Sequence, residues 1–216
     1  EPIIFVQVAL TKGLGKSIQE LMKPSIGDQT KYDTATFYSI SNCQEGLVRV
    51  TLGNFLIKRV IYEIQEELPH IKNFGTLSPI PGFVDWFSYL EQNKIKNILK
   101  NLPDQDLSFL KSKNLTIGDN RILLNKDAIM KLVIHYINNE KNHKGLPINE
   151  VSRFHLGNGA IVDDIVINAN ISEIGFKRSF GVMVNYLYEL KNIEKNHEDY
   201  INNKKVIISN KLKKYL

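Results

Sequence analysis

The most constraining feature of the sequence is the stretch from residue 43 to residue 83, CQEGLVRVTLGNFLIKRVIYEIQEELPHIKNFGTLSPIPGF. Its apolar residues recur with helical spacing, which predicts a helix with one buried face; they are Leu56, Ile57, Val60, Ile61, Ile64 and Leu68. Gly53 and Asn54 suit the start of this helix, and Pro69 ends it. A strand-like run, ATFYSI at residues 35–40, comes before it. The order of elements is therefore strand, loop and helix.

The loop and the helix start form a candidate phosphate-binding segment. A helix N-terminus offers unpaired N–H groups and a partial positive charge, and both suit a pyrophosphate. Lys58 and Arg59 add formal charge close by. An ordinary strand-to-helix connection explains the same pattern, so the residues alone leave both interpretations open. The segment consists of Val48, Arg49, Val50, Thr51, Leu52, Gly53 and Asn54.

A bend that contains two prolines follows a short predicted strand at residues 74–77, in the sequence SPIPGF. Pro79 and Pro81 have fixed φ angles, and each favours an extended residue before it. Ser78 is therefore expected at a rigid strand end, where its side chain has little entropy to lose. The alternative is that Ser78 only terminates the strand, as serine does in many turns before proline.

A histidine lies in the second notable motif, RFHLGNGA at residues 153–160. His155 stands between apolar neighbours, just before a glycine-rich turn, and either a catalytic or a structural role fits that position. Cys43 is interpreted as a small buried or half-buried residue, with a nucleophile as the alternative. The remaining histidines are expected to be structural or exposed to solvent; they are His70, His135, His143 and His197.

Composition limits the classes of partner. The 216 residues, of which 43% are hydrophobic and 24% charged, suit one domain with a real core. The net charge of +5 comes from scattered lysines without a basic stripe and interleaved aromatics, so we expect no nucleic-acid partner. We attribute this charge to compositional bias together with an anionic ligand. A single cysteine excludes an internal disulfide and a cysteine-based metal site. No apolar run approaches the roughly 18 residues of a membrane span, and no signal peptide is visible.

The remaining elements mix strands with helices. We expect a first strand at residues 3–10 that pairs with the strand at 35–40, and closing strands at 161–169 and 181–190. Helices are expected over residues 84–102 and 126–139 and near the end of the chain, and residues 104–121 are expected to form a surface connection. The predicted fold class is α+β or α/β, with a mixed sheet flanked by helices.

These motifs together resemble the catalytic domain of the malonyl-CoA decarboxylase family. The matching pieces occur in the family's order from residue 1 to about residue 200; they include EPIIFVQVAL, FYSISNCQEGL, LGNFLIKRV, TLSPIPGF, KGLPI, RFHLGNGA, SFGVMVNYLYEL and NHEDY. The resemblance implies an N-acetyltransferase-like fold that binds acyl-CoA over residues 1–216. It also implies a preceding helical domain, absent from this chain, through which copies of the protein could associate.

The resemblance further implies the conversion of malonyl-CoA to acetyl-CoA and CO2, in fatty acid and malonyl-CoA metabolism, without metal, biotin or other cofactor. The family's catalytic serine falls on Ser78 and its catalytic histidine on His155, both in contact with substrate. Its CoA phosphate loop falls on residues 48–54. Two departures are visible: Asn149-Glu150-Val151 replaces the family's Asp-Pro-Val, and the RVT before LGN is unusual. They concern loop conformation and CoA affinity. An intracellular compartment is expected, without a choice between cytoplasm, mitochondrion and peroxisome.

Loss of CO2 from malonyl-CoA leaves an enolate that must be stabilised and then protonated. We expect His155 to donate the proton, because modest shifts from a pKa near 6.5 make histidine an acid or a base at neutral pH. Ser78 is expected to orient the substrate by a hydrogen bond, with an acyl-enzyme nucleophile as the alternative. The apolar residues near these motifs form either a wall of the site or simply core; they are Leu77, Ile80, Phe83 and Phe154. Asn185 and Tyr186 are either ordinary sheet residues or part of the site. An acyltransferase and a non-catalytic acyl-CoA binder remain the competing functions.

Overall fold

The strands form one mixed sheet. The computed structural model describes residues 4–24, 28–42, 53–100, 102, 107–111 and 115–216, with the backbone alone for residues 4, 41–42 and 53–56. Within these residues the sheet has six strands, namely β1 (Ile4–Thr11), β2 (Thr34–Asn42), β3 (Asn73–Thr76), β4 (Ser78–Pro79), β5 (Ile161–Val166) and β6 (Met183–Leu187).

Helices flank this sheet. Those in the described residues are α1 (Ile18–Leu21), α2 (Gly53–Glu67), α3 (Phe83–Ser88), α4 (Gln92–Ile98), α5 (Asn120–Leu124), α6 (Lys126–Asn138), α7 (Glu150–Gly157), α8 (Glu173–Ser179) and α9 (Ile193–Asn203). Short 3₁₀ helices occur at Gln29–Lys31, Ser108–Lys111 and Asn210–Tyr215. The expected fold class, a mixed sheet flanked by helices, is confirmed.

The order of the strands places β3 and β4 along the same side of β6. β1 pairs antiparallel with β2, as expected, and β2 pairs in parallel with β3. β6 runs antiparallel to β3 at Gly75, to β4 at Ser78 and Pro79, and to β5 on its other side. Ser78 therefore lies inside the sheet, two residues beyond the end of β3.

The strands β2 and β3 separate at the level of Ser78. Their pairing ends at Phe37 and Thr76, and the last backbone hydrogen bond runs from the amide of Leu77 to the carbonyl of Phe37 at 3.0 Å. Beyond this point β2 continues against β1 alone among the described residues. Gln7 pairs with Ser39 and Val8 pairs with Phe37, so Tyr38 is an extra residue on β2. A bulge of this kind bends a strand, which is why β2 leaves β3 here.

The helical stripes predicted from the sequence face the core. In α2 the side chains of Ile57 and Ile61 are 0% and 1% exposed, with Val60, Ile64 and Leu68 partly buried beside them. In α6 the whole predicted stripe is buried; its residues are Ile129, Leu132, Val133, Tyr136 and Ile137. The predicted face of α2 therefore packs into the core. Helix α6 is more deeply buried than its stripe predicts, because every residue from Ala128 to Ile134 is buried as well.

Three local expectations are wrong. The helix expected over residues 84–102 is two helices, α3 and α4, because the chain turns at residues 89–91. Part of the expected surface connection, the 3₁₀ helix Ser108–Lys111 and the residue before it, packs in the core through Leu107, Phe109 and Leu110. His135 is half-buried and not solvated: its ring stacks on Trp86 at 6.1 Å, and its Nε2 lies 3.4 Å from Glu140 Oε1.

None of the helices in the described residues combines the length and the apolar character that a bilayer crossing requires.

Gly159 closes the turn after α7 in a position that no other residue can occupy without strain. Its φ is +81°, and an added Cβ would lie 2.1 Å from the carbonyl oxygen of Ile193, at the start of α9. Gly145 has a similar φ of +72°, but nothing lies within 4 Å of an added Cβ. Substitution of each glycine by alanine therefore separates two costs: both variants have the strain of a positive φ, but only the Gly159 variant adds steric overlap.

We expect Gly159→Ala to lower the free energy of unfolding by about 3 kcal/mol, since overpacking adds to the left-handed strain. Gly145→Ala, the matched control, should cost only about 1 kcal/mol. Urea denaturation followed by circular dichroism measures both. Equal losses for the two variants would show that the contact between Gly159 and α9 is not tight in solution.

Candidate active site

Ser78 is held by its strand and by a hydrogen bond to Thr76. Its side chain is 5% exposed, and its hydroxyl donates to Thr76 Oγ1 at 2.8 Å. Strand β4 ends at Pro79, and the bend closes at Gly82, whose φ of +78° opens α3. The side chain of Ser78 is therefore fixed at a strand end, as the two prolines predicted.

His155 lies in the last turn of α7 and faces Ser78. Its Nε2 is 2.9 Å from Ser78 Oγ, although 77 residues separate them in the chain. Its other nitrogen, Nδ1, lies 2.8 Å from the hydroxyl of Tyr188. The imidazole is 3% exposed and stacks on the ring of Tyr186, with centroids 4.6 Å apart and planes at 26°. The two residues singled out in separate motifs thus form one hydrogen-bonded pair.

A cavity of about 650 Å³ opens onto this pair between the separated strands. One wall is the end of β2, and the opposite wall is the β4 segment together with α7. The lining residues are Phe37, Tyr38, Ser39, Ile40, Leu77, Ser78, Pro79, Glu150, Val151, Phe154, His155 and Arg178. Leu77 and Phe154 of the expected apolar wall belong to this cavity, whereas Ile80 and Phe83 lie in the main core.

A second cavity of about 770 Å³ lies beyond the N-terminal half of α7, lined among others by Trp86, Tyr89 and Arg153. It shares Glu150 with the first cavity but contains neither Ser78 nor His155. The chemistry available to the smaller cavity, a hydroxyl in contact with an imidazole, makes it the candidate active site despite its size.

The carbonyl of Pro81 ties the serine bend to the histidine helix. It accepts one hydrogen bond from the hydroxyl of Tyr136 at 3.0 Å and another from Nδ2 of Asn149 at 2.9 Å. Asn149 also caps α7, because its Oδ1 accepts from the amide of Ser152 at 2.8 Å. The start of α7 is therefore fixed directly to the chain three residues beyond Ser78.

A further hydrogen bond connects α7 to strand β6. The hydroxyls of Ser152 and Tyr186 lie 2.7 Å apart, beneath the imidazole that Tyr186 stacks on. Asn185 points elsewhere: its Nδ2 donates to the carbonyls of Gly15 and Thr76 at 3.0 and 2.8 Å. Of these two residues of β6, Tyr186 contacts the candidate site directly and Asn185 braces the strand that carries it.

Burial strongly changes the protonation of this site. Removal from solvent lowers the pKa of His155 to about 3, with no carboxylate among its causes. Burial likewise raises the pKa of Tyr186 and that of Tyr188 well above the ordinary value of tyrosine. The modest shift expected for His155 is therefore wrong: without a ligand its imidazole is neutral at physiological pH, between two neutral hydroxyls.

The directions of these hydrogen bonds follow from the donors. Ser78 donates to Thr76, so Nε2 of His155 carries the proton and donates to Ser78 Oγ. Nδ1 is then the acceptor, and the hydroxyl of Tyr188 donates to it. The hydrogen bonds thus form a chain with one direction, in which Tyr188 donates to His155, His155 donates to Ser78 and Ser78 donates to Thr76. A carboxylate triad member is absent from the hydrogen bonds of His155 within the described part of the chain.

The predicted phosphate segment falls largely outside the described residues. Val48, Arg49, Val50, Thr51 and Leu52 lie there, as does Cys43. Gly53 and Asn54 are the first two residues of α2, as the sequence predicted for the helix start. The described part of α2 packs against α7, the helix that carries His155.

Sequence reasoning missed several residues of the site. Tyr188 gave no local signal beyond the alternating pattern of its strand, and Arg178 belongs to a helix that was not predicted. The capping role of Asn149 could have been found, because asparagine before a helical pattern is a start signal. The next residue, Glu150, occupies the first helical position, where a carboxylate suits the helix dipole.

Comparison with known proteins identifies the family. The model of the malonyl-CoA decarboxylase C-terminal domain matches residues 1–216. The mitochondrial malonyl-CoA decarboxylase of Anser anser anser is 36% identical over 228 residues, which cover 95% of this chain and 45% of that protein. The chain belongs to the malonyl-CoA decarboxylase family. The enzyme of Mus musculus is 34% identical over 98% of this chain and 47% of its own length, so the chain spans about half the length of these relatives.

Solved structures show the same fold. Malonyl-CoA decarboxylase from Rhodopseudomonas palustris superposes with a TM-score of 0.86 and 38% identity over all of this chain and 50% of that one. The enzyme from Agrobacterium vitis gives 0.83 and 35% over 99% of this chain and 53% of its own. The loading GNATL domain of CurA from Lyngbya majuscula shares the fold at a TM-score of 0.53 with 12% identity. The expected N-acetyltransferase-like fold is confirmed.

The lowered pKa of His155 makes a prediction about stability. In the unfolded chain histidine has a pKa near 6.5, so between that value and about 3 the unfolded state binds one more proton than the folded state. Stability must therefore fall as the pH falls through this range. Between pH 7 and pH 5 we expect the protein to lose about 2 kcal/mol more unfolding free energy than His155→Gln loses.

Urea titrations at pH 7 and pH 5 provide the measurement. His143 is exposed in the loop before α7, and His143→Gln is the control that should retain the pH dependence of the parent. Parallel pH dependence for the parent and His155→Gln would mean that the imidazole is not buried as a neutral group.

Proposed function

We propose that this chain catalyses the decarboxylation of malonyl-CoA to acetyl-CoA and CO2. The observation that carries the proposal is the 2.9 Å hydrogen bond between Ser78 Oγ and His155 Nε2 at the floor of a cavity between two separating strands. The names of the relatives support the choice of substrate, since they are malonyl-CoA decarboxylases across this same domain. We extend the proposal to residues 1–216 as one acyl-CoA-binding catalytic domain.

The thioester would enter where β2 and β3 separate. The edge of β2 beyond Phe37 has no strand partner on this side among the described residues, and it offers backbone groups to an extended ligand, because a strand edge carries free N–H and C=O groups. The helix start at Gly53 offers the positive end of a dipole to the phosphates. The phosphate role of residues 48–54 and the association of copies through a helical domain stay predictions.

His155 is the proton donor in the proposed reaction, because one proton must be supplied to the product. Cleavage of the bond between the α-carbon and the carboxylate leaves its electron pair on the α-carbon, delocalised into the thioester, and one proton must reach that carbon. The free imidazole is neutral, but a malonyl carboxylate beside it favours the protonated form. Substrate binding therefore draws a proton onto His155, which passes it to the carbon as CO2 leaves and returns to the neutral state.

Ser78 acts as a hydrogen-bond donor in this scheme. Its hydroxyl already donates to Thr76 and can turn toward a thioester oxygen, where donors to a developing oxyanion are worth roughly 10²- to 10³-fold in rate. An acyl-enzyme would require His155 to hold the serine proton while a carboxylate balances the imidazolium. The third partner on Nδ1 is the hydroxyl of Tyr188, whose raised pKa keeps it neutral. This arrangement favours the orienting role over the nucleophile.

We expect His155→Ala to lower kcat at least about 10²-fold, the usual loss for a missing general acid, with acetyl-CoA binding little changed. The assay measures CO2 and acetyl-CoA formed from malonyl-CoA without any acceptor amine, and calorimetry measures acetyl-CoA binding. His143→Ala controls for the loss of a histidine elsewhere. Product formation that depends on an added amine would indicate an acyltransferase, and binding without CO2 release would indicate a non-catalytic acyl-CoA binder.

A second test concerns Ser78. We expect the intact mass of the protein, quenched in acid during turnover, to show no acetyl or malonyl adduct, because Ser78 donates a hydrogen bond and forms no ester. Ser78→Ala should then retain a measurable residual rate, about 10²- to 10³-fold below the parent. An adduct that appears in the parent and disappears in Ser78→Ala would instead establish the acyl-enzyme route.

A further inference from the structure

An arginine lies at the edge of the candidate active-site cavity. Arg178 is exposed on the last turn of α8 and lines the same cavity as Ser78 and His155. Lys177, its neighbour, pairs with Glu173 at 2.6 Å, whereas Arg178 has no ion-pair partner among the described residues. Lys177 therefore serves as a matched control, because it is a cation on the same helical turn that is not among the residues lining the cavity.

The topology places Arg178 at the reacting end of the cavity. Helix α8 leads into β6, whose first residue, Met183, pairs with Pro79. Helix α8 also packs against α3 and β4. Helix α2, which carries the start of the phosphate segment, packs against α7 instead, and its Lys58 pairs with Glu194 of α9 at 2.6 Å. Arg178 thus belongs to a helix that packs against the strand of Ser78, and it lines the cavity that contains Ser78 and His155.

From this placement we propose that Arg178 binds the free carboxylate of malonyl-CoA and so discriminates substrate from product. The inference rests on the proposed function, because it assumes a carboxylated acyl-CoA in this cavity. A guanidinium presents a planar fork of donors that matches a carboxylate, and acetyl-CoA has no such group. Both ligands carry the same CoA portion, so their difference isolates the carboxylate.

The kinetic signature of this role is specific. An ion pair formed with the intact carboxylate stabilises the bound substrate, but the carboxylate is lost as neutral CO2, so the pair weakens in the transition state. Removal of the guanidinium should therefore raise KM without lowering kcat. A role in folding or in compensation of the helix dipole would have no such selectivity.

Glu150 provides a second test, because its substitution should change the KM for malonyl-CoA in the opposite direction. It lines the same cavity at the first position of α7 and is exposed. A negative charge at this cavity disfavours a second carboxylate, so Glu150→Gln should lower the KM for malonyl-CoA while Arg178→Ala raises it.

The experiment compares steady-state kinetics of the parent, Arg178→Ala, Arg178→Lys and the control Lys177→Ala. We expect Arg178→Ala to raise the KM for malonyl-CoA about tenfold, as for loss of a charged hydrogen bond, with kcat unchanged or higher. The inhibition constant of acetyl-CoA should stay as in the parent. Arg178→Lys should restore part of the KM, since lysine keeps the charge but loses the fork. Lys177→Ala should match the parent.

Two results would overturn the proposal: equal weakening of malonyl-CoA and acetyl-CoA, which would place Arg178 on the CoA portion, and a KM for malonyl-CoA that does not change. If the parent releases no CO2, the proposed function fails by itself. Malonyl-CoA is then not consumed, and calorimetry on the parent and Arg178→Ala with malonyl-CoA and acetyl-CoA still decides the role of Arg178.

Discussion

The carbonyl of Pro81 is the point on which the candidate site depends. Two donors from different helices converge on it, the hydroxyl of Tyr136 and the amide of Asn149. Because the other end of the Asn149 side chain caps α7, one residue fixes both the serine bend and the helix of His155. The carboxylate of an aspartate at this position could accept the capping hydrogen bonds but, when ionised, has no hydrogen to donate to Pro81. Asparagine joins the two motifs directly.

The burial of this site also determines the protonation state of His155. Stacking on Tyr186 and enclosure by α7 remove the imidazole of His155 from water, and the charged form then loses its solvation. The neighbours on its two nitrogens are hydroxyls, which satisfy a neutral ring without adding charge. A histidine in such surroundings is neutral until an anion arrives. The order of events in the proposed mechanism, substrate first and proton second, is based on this burial rather than on any local motif.

The sequence predicted the local parts of the fold and the site better than their assembly. Periodicity was enough to place α2 and α6, because the buried stripe of each leaves a regular pattern in the chain, although α6 is buried beyond its stripe. Prolines on both sides of Ile80 were enough for the bend, since their φ angles are fixed locally. The depth of His155 and its contact with Tyr188 depend on residues 33 apart, and the separation of β2 from β3 depends on a bulge against β1. The burial of Phe109 was not predicted, because the polar sequence on both sides of it is typical of a surface loop.

A neutral tyrosine where a triad would place a carboxylate is consistent with decarboxylation chemistry. A buried carboxylate on Nδ1 would favour the imidazolium permanently and would repel an incoming malonyl carboxylate. The hydroxyl of Tyr188 orients the ring by a hydrogen bond and contributes no charge, since burial raises its pKa further. In the proposed mechanism the substrate's own carboxylate supplies the charge that favours protonation of His155, and its loss as CO2 removes that charge. The proton thereby becomes easiest to release at the moment when the α-carbon needs it.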